Sequence, residues 1–312
     1  MRRATELRLN QTPEGAQLDI TNSPIGVFDS GVGGVSVLKA IREQMPEESV
    51  IYFGDQGHVP YGPRSMEQIQ SFSAAITRFL LEQGVKIIVV ACNTASAAAL
   101  RYLREKFPDI SFVGMEPAVK PAAEHTQTSK VGVLATPATF QGALYASVVE
   151  RFANGVELYQ NTCPGLVQQI ERGNLNGEET RRILEAALLP LLKKDIDTVV
   201  LGCTHYPFVI PLIQQIVGAN VRVIDPAPAV AKQTGRVLEA RGLRNEPGSM
   251  GDVRFHTSGH PEALKSLLPV LLGESGAPPS GEAVSRWEVE EVEWLNDHVV
   301  ARKMETLERR RI

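Results

Sequence analysis

KIIVVACNTASAAAL, residues 86–100, changes its period in the middle, and that change decides the fold. Ile87 to Val90 are apolar and β-branched without alternation, which reads as a strand buried on both faces. The run stops at Cys92. Asn93 and Thr94 follow, then a string of alanines that reads as a helix. Residues 198–208, TVVLGCTHYPF, repeat the arrangement: an apolar run, a cysteine, then Thr204 and His205.

Further short strands are expected at IGVFD (25–29), VIYFGD (50–55), SFVGM (111–115), VGVLAT (131–136) and VRVID (221–225). Helical stretches lie between them at 64–83, 94–106, 140–153 and 178–194. Continuous apolar strands alternating with helices predict an α/β fold with mostly parallel sheets covered on both faces. Ligands of such sheets bind beyond the carboxyl ends of the strands. Asp29, Asp55, Cys92, Thr136, Cys203 and Asp225 all fall there.

The chain also reads as duplicated. IGVFDSGVGG resembles VGVLATPATF, with Gly26 and Gly132 separated by 106 residues, and VVACNT resembles VVLGCT, with Cys92 and Cys203 separated by 111. Two similar, pseudo-duplicated α/β domains are therefore expected, with the active site in the cleft between them and one cysteine from each. The expected boundaries are an N-terminal extension at 1–23, a discontinuous first domain at 24–116 plus 228–273, a second domain at 117–227, and a C-terminal extension at 274–312. In that extension ESGAPPSGE reads as a linker, and WEVEEVEWLNDHVV as a helix with Trp287 and Trp294 on one side.

Bulk properties narrow the function. The 312 residues are 43% hydrophobic and carry a net charge of −4, so no affinity for nucleic acid or an anionic membrane is expected. No apolar window is long enough for a membrane span, and residues 1–24 lack the apolar centre of a secretory signal. The three cysteines, Cys92, Cys163 and Cys203, are too few and too scattered for a disulfide framework, which suits a reducing cytoplasmic compartment.

Each motif has a plain and a chemical reading. VFDSGVGGVSVL (27–38) is a glycine turn between strand and helix: either a simple tight turn or an anion-binding nest. Its partial match to a dinucleotide fingerprint lacks the third glycine, and Asp29 would repel a pyrophosphate. An acid, then Ser30, then glycines better suits a ligand carrying both an ammonium and a carboxylate. A thiol at a helix N-terminus, as expected for Cys92 and Cys203, has its pKa pulled down, whereas a single such cysteine is often just a buried hydrophobe. Cys203-x-His205 lacks the paired four-ligand pattern of structural zinc, so no metal is expected and His205 reads as a base beside a thiol. HVPYGPRS (58–65) fixes a loop that either is a rigid surface turn or points the Tyr61 and Gly62 amides into the cleft. In CPGLVQQIERG (163–173), Cys163 reads as structural and Glu171 as a solvated helix carboxylate.

One thiolate with His205 suits acyl transfer through a covalent intermediate. Two thiols across a ligand suit inversion of a stereocentre: one removes a proton from carbon and the other returns a proton to the opposite face. Such a weak carbon acid needs donors on its carboxylate, a role open to Ser30, Asn93, Thr94 and Thr204, with Asp29 on the ammonium.

Taken together, FDSGVGG, VPYGPRS, ACNTASA, EPAVKPA, GVLATPAT, CPGLV and LGCTHYPF closely resemble the bacterial glutamate racemases, from about Ile25 to about Gly273. The resemblance implies interconversion of L- and D-glutamate without pyridoxal phosphate or any other cofactor, supplying D-glutamate for peptidoglycan. It implies that Cys92 acts on the D-enantiomer and Cys203 on the L-enantiomer, assisted by Asp29, His205 and Glu171. Substrate contacts are implied for Asp29, Ser30, Tyr61, Gly62, Asn93, Thr94, Thr204 and His205, with Thr136 reaching the side-chain carboxylate. It further implies a homodimer and, as in some members, activation by a cell-wall precursor. The sequence departs from the pattern at Gln56, Gly57 and His58, where many members carry a Thr-Ala-Arg-like triplet, and at Gln168 and Gln169; both changes bear on loop packing near the cleft entrance. The two terminal extensions lie outside it. An aspartate racemase, a cysteine hydrolase and a glutamate-binding protein remain as alternatives.

Overall fold

The unalternating apolar runs become parallel strands at the centre of two sheets. The computed structural model describes residues 20–248, 250–273, 287–296 and 298–302. Most of the N-terminal extension and the ESGAPPSGE linker lie outside the described residues.

In chain order the elements begin with β1 (Ile25–Asp29), α1 (Val35–Gln44), β2 (Val50–Gly54), α2 (Met66–Glu82), β3 (Ile87–Val90), α3 (Asn93–Lys106), β4 (Phe112–Gly114) and α4 (Val119–His125). They continue with β5 (Lys130–Ala135), α5 (Pro137–Gln141), α6 (Ala143–Phe152), β6 (Glu157–Asn161), α7 (Leu166–Glu171), α8 (Glu178–Leu192), β7 (Thr198–Gly202), α9 (Ile210–Val217) and β8 (Arg222–Ile224). The chain closes with α10 (Ala227–Ala240), β9 (Val253–Thr257), α11 (Pro261–Leu271), β10 (Val289–Leu295) and β11 (His298–Ala301).

One sheet has the order β11-β10-β9-β2-β1-β3-β4 and the other β6-β5-β7-β8. Every pairing is parallel except β10 with β11. The duplication is literal: β2-β1-β3-β4 in one sheet corresponds to β6-β5-β7-β8 in the other. The register matches too. Gly26 of β1 faces Ile88 of β3, and Gly132 of β5 faces Val199 of β7. Cys92 and Cys203 each lie four residues past those partners, so the repeat places the two thiols at equivalent strand ends.

Two expectations need correction. The helix expected at 140–153 starts earlier and breaks at Gly142, because Thr136 caps α5 and Pro137 fits its first turn. Where a helix is expected in WEVEEVEWLNDHVV, VEEVEWL (289–295) forms β10 and residues 298–301 form β11. Val292 and Trp294 face the apolar cluster around Phe79 and Phe72, while Val289 faces the other cluster around Phe255. The seven-residue spacing of the tryptophans suggested a helix, but the open edge of β9 selects the strand form that valine and tryptophan favour. Strands β6 and β9, ELYQN and VRFHT, carry too much polar surface to stand out in the sequence.

The amino ends of the strands are structural. There Lys86 Nζ lies 2.6 Å from Glu48 Oε2 and 3.0 Å from Asn245 Oδ1, with both charged side chains fully buried. Lys86→Met would strand the Glu48 carboxylate and the Asn245 carbonyl. It is expected to cost about 3–5 kcal/mol, read as a lower urea midpoint at unchanged slope. An unchanged midpoint would remove this pair from the account of stability.

Candidate active site

At the carboxyl ends the two halves meet over a small cavity. It is lined by Ser30, Pro60, Tyr61, Gly62, Cys92, Asn93, Thr94, Thr136, Val167, Cys203, Thr204 and His205. Its volume is about 20 Å³. Ten of the twelve site residues expected from sequence line the cavity. Asp29 and Glu171 lie directly behind it and hold the lining residues. Pro60 and Val167 are the additions; their apolar side chains carried no chemical signal in the sequence. Asp225 is not brought here: its carboxylate accepts from the Ala227 amide at the start of α10.

The glycine turn after β1 is filled by the protein's own carboxylates. Gly31 and Gly34 amides donate to Asp29 Oδ2 at 3.2 and 3.0 Å, and the Val32 amide donates to Glu171 Oε1 at 2.8 Å. A phosphate would find these donors engaged. The glycines have a different use here. A Cβ on Gly31 would collide with the Glu171 carboxylate, and one on Gly33 with His205 and Thr204. Only bare backbone lets the second half close on the first.

Cys92 caps α3 itself: its Sγ accepts from the Ala95 amide at 3.4 Å. Asn93 and Thr94, which open α3, are thereby left free for the cavity. Asn93 is 3% exposed, and neither its Oδ1 nor its Nδ2 has a partner among the described residues. An unpaired buried amide is costly, and a ligand carboxylate would satisfy it. Thr94 Oγ1 and Thr136 Oγ1, 2.9 Å apart, join the two halves across the cavity. The Tyr61 and Gly62 amides have no protein acceptor among the described residues, while the Tyr61 hydroxyl donates to Asp55 Oδ2 at 2.6 Å.

Each thiol has its own ionisable partner. Cys92 sits 3.8 Å from Ser30 Oγ and interacts with the buried Asp29. Cys203 Sγ is 3.7 Å from His205 Nδ1, and His205 Nε2 is 2.6 Å from Glu171 Oε1. Glu171 is not the solvated helix carboxylate expected by default, since it also receives Gln56 Nε2 at 3.3 Å. Thr204 Oγ1 donates to Asp29 Oδ1 at 3.4 Å, tying the second half to the acid of the first.

Electrostatics follow from burial. Burial pushes the Cys92 thiol well above its ordinary value, and the Asp29 charge adds to this. The Ala95 amide at the helix start and the Ser30 hydroxyl only partly oppose them. For Cys92, the lowered thiol expected from the helix end is thus overturned by burial. Burial also raises the Asp29 carboxyl, against the pull of His205. For His205, burial alone lowers the imidazolium, but Cys203 and Glu171 outweigh it and hold the ring well above its usual value.

A model of the family described as Asp/Glu/Hydantoin racemase matches residues 25–234. The chain is 50% identical over 254 residues to a glutamate racemase of Pseudomonas aeruginosa (strain UCBPP-PA14), covering 81% of this chain and 96% of the relative. Among solved structures it is similar to the Escherichia coli glutamate racemase in complex with L-glutamate and activator UDP-MurNAc-ala. That likeness has a TM-score of 0.73 at 33% identity and covers 88% of this chain and 99% of the other. The Francisella tularensis glutamate racemase in complex with D-glutamate gives a TM-score of 0.72 at 33% identity, covering 88% of this chain and 98% of the other.

Proposed function

As this chain belongs to the Asp/Glu/hydantoin racemase family, and to the glutamate racemases within it, it is an isomerase; we propose that it inverts the α-carbon of glutamate with two thiols and no cofactor. The observation that carries this reading is the pair of cysteines at equivalent ends of duplicated strands on one cavity, each with a separate acid–base partner.

In the proposed reaction Cys203 takes the α-proton of L-glutamate and Cys92 delivers its proton to the opposite face, giving D-glutamate. The roles reverse for the other enantiomer. Each turnover breaks one C–H and one S–H bond and forms one of each. His205, charged through Glu171, balances the thiolate at Cys203, and Asp29 serves Cys92. The α-ammonium beside Asp29 supplies the positive charge that lowers the Cys92 thiol once substrate is bound. The carboxylates are assigned to Asn93, Thr94, Thr204 and Ser30 near the α-carbon and to Thr136 at the far end, with Tyr61 and Gly62 closing the wall. Donors fixed on the α-carboxylate strengthen as charge moves onto it.

The product is assigned to peptidoglycan synthesis in the cytoplasm. The same reading carries a homodimer and activation by a cell-wall precursor, the latter supported by the activator on the Escherichia coli relative. Among the described residues no helix is long and apolar enough to cross a membrane.

Cys203, His205 and Glu171 also have the parts of a nucleophilic relay, which favours a hydrolase as the second reading. Chiral analysis of L-glutamate in D2O with enzyme free of pyridoxal phosphate decides. D-glutamate carrying α-deuterium is the expected product. Inversion of aspartate alone would move the substrate but keep the mechanism. Neither inversion nor exchange would end the racemase reading and leave the relay.

A further inference from the structure

The C-terminal strand pair takes no part in the proposed two-thiol reaction, yet it reaches the cleft wall. Parallel pairing of β10 with β9 (Glu291 opposite Thr257) carries Trp294 to the carboxyl edge of the sheet, the edge that holds the cavity. There the Trp294 indole donates to Asp55 Oδ1 at 3.0 Å. Asp55 is fully buried and also accepts from Ser258 Oγ at 2.6 Å and the Tyr61 hydroxyl at 2.6 Å, with His58 Nδ1 at 3.0 Å. The His58 ring stacks on Phe72 of α2 at 4.1 Å, and the Trp294 ring stands edge-on to both. Val292 and Val299 join the apolar cluster that contains Tyr61 and Cys92.

The loop from Asp55 to Gly62 is therefore clamped at both ends, and its far end supplies Pro60, Tyr61 and Gly62 to the cavity. Gly62 faces Thr136 of the other half; a Cβ there would lie 3.5 Å from the Thr136 side chain. Moving this loop changes the width of the cleft without touching either thiol. His58 belongs to the triplet in which the sequence departs from the racemase pattern. Trp294 lies beyond residues 25–234, which match the family model. The two departures meet at one carboxylate.

We propose that Trp294 is a positioning residue for substrate binding: through Asp55 and His58, the β10–β11 pair sets where Pro60, Tyr61 and Gly62 stand in the cleft. This rests on glutamate as the substrate, so the wild-type chain is assayed first on both enantiomers. With an active wild type, Trp294→Ala is expected to raise KM for L- and D-glutamate alike, by about tenfold, with kcat within about twofold. Trp294→Phe keeps the ring contacts and loses the N–H, so its KM falls between the two. A lower melting temperature with KM unchanged in both variants would make Trp294 merely structural and overturn the proposal. An inactive wild type would instead overturn the glutamate reading, and hydrogen exchange then decides this one. Faster exchange at residues 56–62 in Trp294→Ala, with β1 and β3 unchanged, supports the clamp. Unchanged exchange there overturns it.

Discussion

Serine in place of either Cys92 or Cys203 is expected to lower glutamate racemisation by about 10²–10⁴-fold, the usual worth of one positioned acid–base group. Serine keeps the size of the side chain but is a far weaker acid and, as a neutral hydroxyl, a far weaker base. Because the thiols approach from opposite faces, the two variants differ in a second observable. Cys92→Ser retains Cys203, which can remove and return a proton on its own face, so L-glutamate gains α-deuterium in D2O with retention while D-glutamate does not. Cys203→Ser shows the reverse. Cys163→Ser is the control. That thiol is buried in the second half, away from the cavity, and burial pushes it up to about 12. Its loss is expected to leave the racemisation rate within about twofold, since Cys163 is not among the residues that line the cavity. Full activity in either Cys92→Ser or Cys203→Ser would sink the two-base reading.

Much of this arrangement is legible in the sequence, for a definite reason. A parallel sheet covered on both faces forces its strands to be apolar throughout, so a cysteine or aspartate at the end of such a run stands out. The repeat alone pairs Cys92 with Cys203. What the sequence hides are interactions that depend on where a chain turns back. Glu171 reads as a solvated helix residue because nothing local shows that Gly31 and Gly33 leave room for it and His205. Asp55 sits at a strand end like Asp29, yet it holds a loop and does not line the cavity; beside the nearby Tyr61 and His58, two of its donors come from Ser258 and Trp294, some 200 residues away or more. The direction of the Cys92 shift fails for a similar reason. The helix end is local and visible, whereas burial and the Asp29 charge belong to the folded site and outweigh it.

Glu171→Gln should cut kcat by about 10²-fold and pull the basic limb of the pH profile toward neutrality. Burial by itself lowers His205, and only Cys203 and Glu171 reverse that. Glu171 in turn is raised by its own burial but is brought below the ordinary carboxylate range by His205 and the Val32 amide. At neutral pH the two therefore stand as imidazolium and carboxylate, 2.6 Å apart. An amide cannot hold that proton, so the imidazolium of the variant titrates at lower pH and Cys203 loses its positive neighbour sooner. The same linkage fixes the stability signature. His205, raised in the folded chain, contributes stability that is full below its unfolded pKa and is lost as pH rises through the folded value. Glu171, lowered in the folded chain, contributes stability that is present above its unfolded pKa and is lost as pH falls through the folded value. The deficit of the variant is therefore greatest in the mildly acidic range between the unfolded pKa values of Glu171 and His205, at about 3 kcal/mol for opening a buried pair, and shrinks toward both extremes. Urea unfolding at acidic, neutral and alkaline pH, read beside kcat against pH, separates the pair from a mere packing contact. A packing contact would lower stability equally at every pH and leave the basic limb where it is in the wild type, and that outcome would remove Glu171 from the proton path.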